Sequence, residues 1–274
     1  MVGIHREGVG AGLPAFLTGD SLAEKSTHTL DEHTARHMRV LRLEVGAAVS
    51  LRDGHGGIAV GQLVRLTKSQ AQIDVREIVH IQPLSPVHLL VPVADKDRML
   101  WLAEKGCELA CTSWRPVMWR RSRSVSPRGE GAGFQQKVAA RMALALAQSE
   151  GAWMPQLFPE ANVERAMLAA PMGIRVILDP HGPPLTAVLG NASMARPAAE
   201  GEACQVTLAI GPEGGIETDE MALLHQAGFV PASIGSTILR FETAAIAALA
   251  IARTVLAHDP GTIPSFLEEG VPRE

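Results

Sequence analysis

Residues 205–250 read QVTLAIGPEGGIETDEMALLHQAGFVPASIGSTILRFETAAIAALA. The order is an apolar strand, a glycine-rich turn, a helix, a short strand, a second glycine-centred loop and a long alanine-rich helix. Gln205–Ile210 is apolar and β-branched, and short enough for a buried strand. Gly211, Gly214 and Gly215 follow it; glycine allows positive φ and lets a ligand approach the main chain closely. Asp219–Ala227 carries Met221, Leu223 and Leu224 at helical spacing, and Gly228 is placed to end that helix in a left-handed turn. Pro231–Ile234 reads as one short strand, and Thr243 is placed to cap a helix running to about His258. Two glycine loops thus follow two adjacent strands, on the side of an α/β sheet where ligands sit. Either loop alone reads as a tight turn. The pair, with Arg240 and Glu242 beside the second, reads as a site. Ile174–Leu178 ends in Asp179-Pro-His-Gly182 and supplies a third strand-end loop on the same side.

Ile210-Gly-Pro-Glu-Gly-Gly215, together with Ser233-Ile-Gly-Ser-Thr-Ile-Leu-Arg-Phe-Glu-Thr-Ala244, closely resembles the signature of the SPOUT RNA methyltransferases. Within them it resembles the RsmE family, which methylates N3 of a uridine in 16S ribosomal RNA. The resemblance implies an α/β C-terminal domain with a trefoil knot that binds S-adenosylmethionine. Cofactor contacts would come from Leu178 and Asp179, from Ile210, Gly211, Pro212, Glu213, Gly214 and Gly215, and from Ile234, Gly235, Ile238, Leu239 and Thr243. A looser match, HTARHMRVLRLEVGAAVSLRDGHGG, resembles the family's N-terminal PUA-like domain through His37, Val40-Leu-Arg42, Gly46 and Asp53-Gly54. Glu104-Lys-Gly-Cys-Glu-Leu109 and Arg123-Ser-Val125 are similar to further family segments. Ala147-Gln-Ser149 departs from the family's Glu-Gln-Ser, and Gly151 stands where the family has arginine.

The chain of 274 residues is comfortable for two domains. A PUA-like β-barrel domain is expected over 1–81, a linker at Gln82-Pro-Leu-Ser-Pro86, a methyltransferase domain over 87–258 and a tail over 259–274. In the first, Thr29-Leu-Asp-Glu32 fits a capping box. The helix after it would bury Met38, Val40 and Leu41. Ala48–Arg52, Ile58–Leu66 and Gln70–Ile78 read as short strands of a small barrel. Further on come a strand at Val87–Val93 and a helix at Asp97–Cys111 with Trp101, Leu102 and Leu109 toward the core. Helices are also expected at Lys137–Ser149 and near Val163–Ala170, and a mobile surface connection over 183–203. The bland reading of Glu104, Lys105 and Glu108 is a solvated helix face with an awkward Glu104–Glu108 pair.

Hydrophobic content of 46% is ample for a core. No apolar run reaches the length of a membrane span, and the N-terminus has no signal-peptide pattern. Three cysteines with no CxxC pair point to reduced thiols, hence a cytoplasmic protein, and away from zinc. The histidines have no metal spacing.

A net charge of −4 argues mildly against nucleic acid. Thr112–Met142 is the exception: Arg115, Arg120, Arg121, Arg123, Arg128, Lys137 and Arg141 face a single acid, Glu130. Trp114, Trp119 and Phe134 lie among them. Arginine with aromatics can hold phosphates and stack on unpaired bases; the alternative is a solvated loop over buried tryptophans. Arg36, Arg39, Arg120, Arg121 and Arg123 are the candidate contacts to 16S rRNA in the small ribosomal subunit. Methylating uracil N3 requires removal of the imide proton and stabilisation of charge over O2, N3 and O4. Glu242 and Arg240 are the candidates, or they form an ion pair that shapes the loop. Glu213 would hold a ribose hydroxyl or cap amides of its own turn. Ala244–Leu256 is apolar almost all round and must be covered on several sides; the family resemblance makes part of that cover a second copy, in a homodimer. Alternative readings are a related methyltransferase acting on tRNA or on a ribose 2′-OH, and an RNA-binding protein without catalysis.

Overall fold

The computed structural model describes residues 10, 12–124, 127–195 and 204–257. The expected tail lies outside them, as does Val125 of the Arg-Ser-Val match. By its contacts the chain forms two compact units: residues to 84 together with 140–154, and residues 85–139 together with 155 onward.

The first unit contains β1 (Ala15–Leu17), β2 (Thr27–Leu30), α1 (Glu32–Val40), β3 (Ala48–Arg52), β4 (Gly57–Leu66) and β5 (Ala71–His80). They form one five-stranded sheet in the order β1-β3-β4-β5-β2. The alternation of β3, β4 and β5 sends Val49, Leu51, Ala59, Leu63, Ile73 and Val75 into one core with Phe16, Leu30, Ala35 and Met38. The helix cap differs from the expected one. Asp31 is the N-cap, its Oδ1 accepting the Thr34 N–H at 2.8 Å, while Thr29 is held in β2 opposite Gln72. Strand pairing leaves Thr29 no freedom to cap. Val40 and Leu41 are also exposed rather than buried. The helix stops at Val40 and Arg42 turns the chain at φ +56°, so only Ala35 and Met38, three residues apart, reach the core.

Ala140–Met154 joins this unit through backbone groups. The buried Arg52 donates to the carbonyls of Glu150 and Gly151 at 3.0 and 3.1 Å. Gly56 donates to Ala152 and Met154 donates to Gly54. Burial makes the Arg52 guanidinium less basic than usual.

The second unit runs through β6 (Val87–Pro92), α2 (Lys96–Glu108), β7 (Ser113–Met118), a 3-10 turn (Arg120–Ser124), the start of α3 (Ala132–Gln148, which from residue 140 belongs to the first unit), β8 (Gln156–Leu157) and β9 (Ala161–Asn162). It continues as α4 (Val163–Leu168), β10 (Ile174–Leu178), α5 (Leu185–Ala195), β11 (Val206–Ala209), α6 (Thr218–Gln226), β12 (Val230–Ala232) and α7 (Phe241–Ala257). Its seven-stranded sheet has the order β12-β10-β11-β6-β7-β8, with β9 also on β7. Every pairing is parallel, so both faces must be covered. Leu90, Val117, Trp119, Ile177 and Ala209 meet α4 and α6 on one face. On the other, α7 packs on β6 and β11 and against α2 and α5.

Several expectations change here. β10 lies between β11 and β12, so the two glycine loops do not follow adjacent strands. A crossover helix can carry the chain past an occupied strand, and sequence spacing does not record how many it passes. The supposed connection over 183–203 contains α5, whose Leu185 and Leu189 are buried at i,i+4 spacing. α3 begins at Ala132 rather than Lys137, because Gly131 at φ +81° turns the chain and its carbonyl accepts from Phe134 and Gln135. Trp101 is 46% exposed while Leu102 is buried. β8 and β9 lie between the helices expected at Lys137–Ser149 and near Val163–Ala170, where no strand was expected.

Cys107, Cys111 and Cys204 are buried and outside any disulfide. Burial pushes the Cys107 thiol up to about 12, so it stays protonated and unreactive near neutrality. No helix among the described residues is long and apolar enough to cross a membrane.

Candidate functional site

Because β10, β11 and β12 are parallel, the loops after them leave one edge of the sheet. The β10 loop is bound to β12: the Asp179 N–H donates to the Ala232 carbonyl at 2.9 Å. The Asp179 carboxylate accepts the His181 N–H at 2.8 Å. Gly182 is demanded by backbone proximity, since a Cβ there would stand 2.7 Å from the Ala232 nitrogen. The β11 loop closes on itself through the Gly215 N–H and the Pro212 carbonyl, 2.8 Å apart. Gly215 holds the left-handed conformation, at φ +80°. Gly214 is constrained differently: a Cβ there would meet the Arg121 Cβ at 3.0 Å.

Charged side chains clasp this loop from two directions. Arg98 of α2 pairs with Glu213, so Glu213 reaches out of its turn rather than capping it. Arg121 donates from Nη1 to the Gly214 carbonyl at 2.7 Å, and its Nε is 3.6 Å from Glu217. Arg120 pairs with Glu217 at 2.9 Å and with Asp219, and its backbone N–H donates to the buried Glu220 at 2.9 Å. Between these groups lies a cavity of about 390 Å³, bordered by Val93, Arg98, Arg121, Ser122, Gly214 and Phe241. A second cavity of about 290 Å³ shares Val93 and Ser122 and adds Met118, Trp119 and Arg128. Ser122 is buried and its hydroxyl has no hydrogen-bond partner among the described residues.

The candidate RNA contacts are therefore not a row of bare cations. Arg120 and Arg121 are half-exposed but already paired. Arg123 lies in the 3-10 turn, with its side chain outside the described set. Arg36 pairs with Glu32 on an exposed face, and Arg39 donates to the carbonyls of Lys68 and Ala35. Trp114, Trp119 and Phe134 are buried, which removes them as stacking surfaces; Trp114 lies in β7, a parallel strand covered on both faces. The arginine–aromatic contact that does form is Arg115 over Phe158, 4.5 Å from the ring centre.

The β12 loop is different in kind. Residues 235–240 are all exposed, Ile238 at 90%. α7 starts at Phe241, with the Arg240 carbonyl accepting the Ala244 N–H at 2.9 Å, so Thr243 sits within the first turn and does not cap it. Arg240 is exposed and has no side-chain partner among the described residues. Glu242 is 8% exposed, and its Oε2 has no hydrogen-bond partner there. No ion pair joins Arg240 and Glu242 within that set. A carboxyl group in the first turn of a helix gains from the dipole, yet leaving one oxygen buried and unpaired is unfavourable.

Nearby, the awkward glutamates resolve: Lys105 lies between Glu104 at 2.9 Å and Glu108 at 2.7 Å. The sequence reading missed Arg98, Ser122 and Arg253. Arg253 of α7 donates to the carbonyls of Ser85, Leu109 and Ala110, and burial brings it down to about 10. It anchors α7 to the end of α2. Asp95, which accepts from the N–H groups of Asp97 and Arg98, was legible as a helix cap; the three others carry no local signal.

Comparison with known proteins agrees with this architecture. The family model described as an RNA methyltransferase domain matches residues 81–253, and the one described as an RNA methyltransferase PUA domain matches residues 30–76. The ribosomal RNA small subunit methyltransferase E of Synechocystis is 31% identical over 219 residues, 77% of this chain and 67% of that protein. The protein of the same name from Rickettsia conorii is 26% identical, over 86% of this chain and 93% of its own. In three dimensions, a putative methyltransferase from Legionella pneumophila solved with bound S-adenosylmethionine has a TM-score of 0.76 at 23% identity, covering 88% and 97% of the two chains. The Neisseria gonorrhoeae ribosomal RNA small subunit methyltransferase E, solved with the same cofactor, has a TM-score of 0.74 at 24% identity, covering 89% and 98%. The α/β class with a preceding PUA domain is thus established, and the chain belongs to the ribosomal RNA small subunit methyltransferase E family.

Proposed function

We propose that this protein transfers a methyl group from S-adenosylmethionine to N3 of a specific uridine in 16S rRNA. The cofactor would lie at the sheet edge where three loops meet, held by Leu178 and Asp179, by Ile210–Gly215 and by Ile234, Gly235, Ile238, Leu239 and Thr243. The residues suit it. Gly235 has nothing within 4 Å of where its Cβ would be, so its backbone is open to a ligand, and the exposed Ile238 and Leu239 offer apolar surface for a purine ring. When bound, the sulfonium supplies an electrophilic methyl group. Arg240 would hold the uracil carbonyls and stabilise the charge that develops on them, and Glu242 would accept the imide proton.

The observation that carries this reading is made among the described residues: a buried Glu242 carboxyl oxygen without a partner, two positions from an exposed Arg240 guanidinium without one. A structural ion pair would have joined them. RNA contact would come from Arg36, Arg39, Arg120 and Arg123; Arg121, the fifth candidate, has its guanidinium engaged by the Gly214 carbonyl. A cytoplasmic setting follows from the substrate. The C-terminal segment would be knotted. The protein would act as a two-fold dimer, covering Ile246, Ala247, Ala250 and Ile251, which one chain leaves only partly buried on α7. Mass spectrometry of 16S rRNA incubated with the protein and S-adenosylmethionine tests the reaction: one N3-methyluridine is expected, and its absence, or a methyl group on ribose, would overturn the assignment. Light scattering should give twice the 29.1 kDa chain mass; a monomer throughout a concentration series would remove the dimer.

A further inference from the structure

We infer that Arg121 is a positioning residue: it fixes the Gly214–Gly215 peptide group in the orientation the cofactor loop needs, rather than serving as a phosphate ligand. The inference rests on the cofactor reading given above.

The geometry is specific to one peptide plane. The carbonyl of Gly214 and the N–H of Gly215 belong to the same planar group. Arg121 Nη1 holds the carbonyl end at 2.7 Å, and the Pro212 carbonyl holds the N–H end at 2.8 Å. A peptide between two glycines reorients easily, because neither neighbour has a Cβ to oppose it. The turn's own hydrogen bond restrains one end only. The guanidinium restrains the other and selects the conformer in which Gly215 has φ +80°. Gly214 has room for this contact because it lacks a side chain: the Arg121 Cβ, Cδ and backbone oxygen would lie 3.0, 3.5 and 3.7 Å from a Cβ there. Arg121 thus meets the loop with its stem as well as its head.

Arg120, its neighbour, shows what the loop contact adds. Its partners are Glu217, Asp219 and, through the backbone, Glu220. All belong to the start of α6 and none to the glycine turn. Glu220 is buried and also accepts the Glu217 N–H at 3.1 Å, so it locks the 3-10 turn to the helix. Arg120 and Glu220 anchor the turn; Arg121 reaches from that anchored turn onto the loop. A guanidinium committed to a carbonyl and lying near Glu217 is a poor free cation for a phosphate. Its role is to shape the wall that Arg121 and Gly214 both contribute to the larger cavity.

The test uses the full chain. In calorimetry with S-adenosylmethionine and with its demethylated product, Arg121→Ala should weaken binding about tenfold, equivalent to about 1.4 kcal/mol. Arg121→Lys, which keeps one donor, should recover part of it. Arg76→Ala, at an exposed arginine of the first unit that donates to Gln62, should bind like the wild type. In turnover, the cofactor KM of Arg121→Ala should rise while kcat at saturating cofactor changes less than twofold. Hydrogen exchange at Gly214–Ile216 in the ligand-free protein should accelerate at least tenfold in Arg121→Ala, with an unfolding temperature matching that of Arg76→Ala. Wild-type cofactor affinity in Arg121→Ala, or unchanged exchange in the loop, overturns the inference. If the wild type itself binds neither ligand, the cofactor reading fails, and the exchange measurement still decides whether Arg121 holds the loop.

Discussion

The loops after β11 and β12 look alike in sequence, each a glycine-bearing turn beside charged residues, but they are built on opposite terms. The first is made before any ligand arrives. It closes on its own hydrogen bond, Arg98 takes Glu213, and Arg121 takes the Gly214 carbonyl. The second is tied at its ends, through Ser233 to the Pro183 carbonyl and through the first turn of α7, and exposed between them. A site assembled from one pre-formed wall and one open wall can be rigid where it reads a ligand and yielding where the ligand enters. Among the described residues, Arg240 without a side-chain partner ends the open stretch, and Glu242, with one buried oxygen unpartnered, lies just beyond it in the first turn of α7.

The sharpest way to break this comparison is to change the unpaired carboxyl. Glu242→Gln should lower single-turnover methyl transfer by roughly 10²–10⁴-fold, the usual contribution of a positioned acid or base. Its unfolding temperature should stay within a few degrees of wild type. A variant that unfolds instead, with unimpaired transfer in the fraction still folded, would make Glu242 a structural group.

Two glycines should separate the walls by stability. Gly182→Ala would force a Cβ against the Ala232 backbone at 2.7 Å, where nothing flexible can yield, and should cost about 1–3 kcal/mol in denaturant unfolding. Gly235→Ala meets nothing within 4 Å and should stay within about 0.5 kcal/mol, yet weaken cofactor binding. Equal losses of stability would mean the second loop is as packed as the first. Ile238→Ser should leave stability alone and raise the cofactor Kd several-fold; an unaltered Kd would remove that residue from the site.

The smallest effect concerns the outer clasp. Arg98 and Glu213 are both substantially exposed, and such pairs contribute about 0–1 kcal/mol. Arg98→Ala should therefore shift stability by less than about 1 kcal/mol, and high salt should erase the difference. A larger or salt-resistant loss would show that this pair, and not Arg121, sets the loop.

Local rules read well wherever local rules decide. The runs Val87–Val93, Ile174–Leu178 and Gln205–Ile210 are strands because apolar, β-branched segments of that length are stable when buried on both faces. Gly228 ends α6 at φ +79° because that conformation is cheap only without a Cβ. The resemblance carried by Ile210–Gly215 with Ser233–Ala244 pointed to the family to which the chain belongs. α5 was lost because alanines and prolines hide a helix whose buried stripe is narrow, and Thr29 was misread because strand pairing outcompetes a cap.

What the sequence could not determine was which groups meet. The basic run from Arg115 to Arg141 is one string of charge on paper. In the fold, Arg115 lies over Phe158, Arg120 and Arg121 meet the acids at the start of α6, and Arg128 turns to Glu130. Charge is a property of the residue, but its availability depends on partners, which for Arg120 and Arg121 stand nearly a hundred positions away. The position of β10 between β11 and β12 has the same origin. Parallel strands are joined by crossovers that leave no mark on spacing, so only the assembled sheet decided that the Asp179 loop stands between the other two.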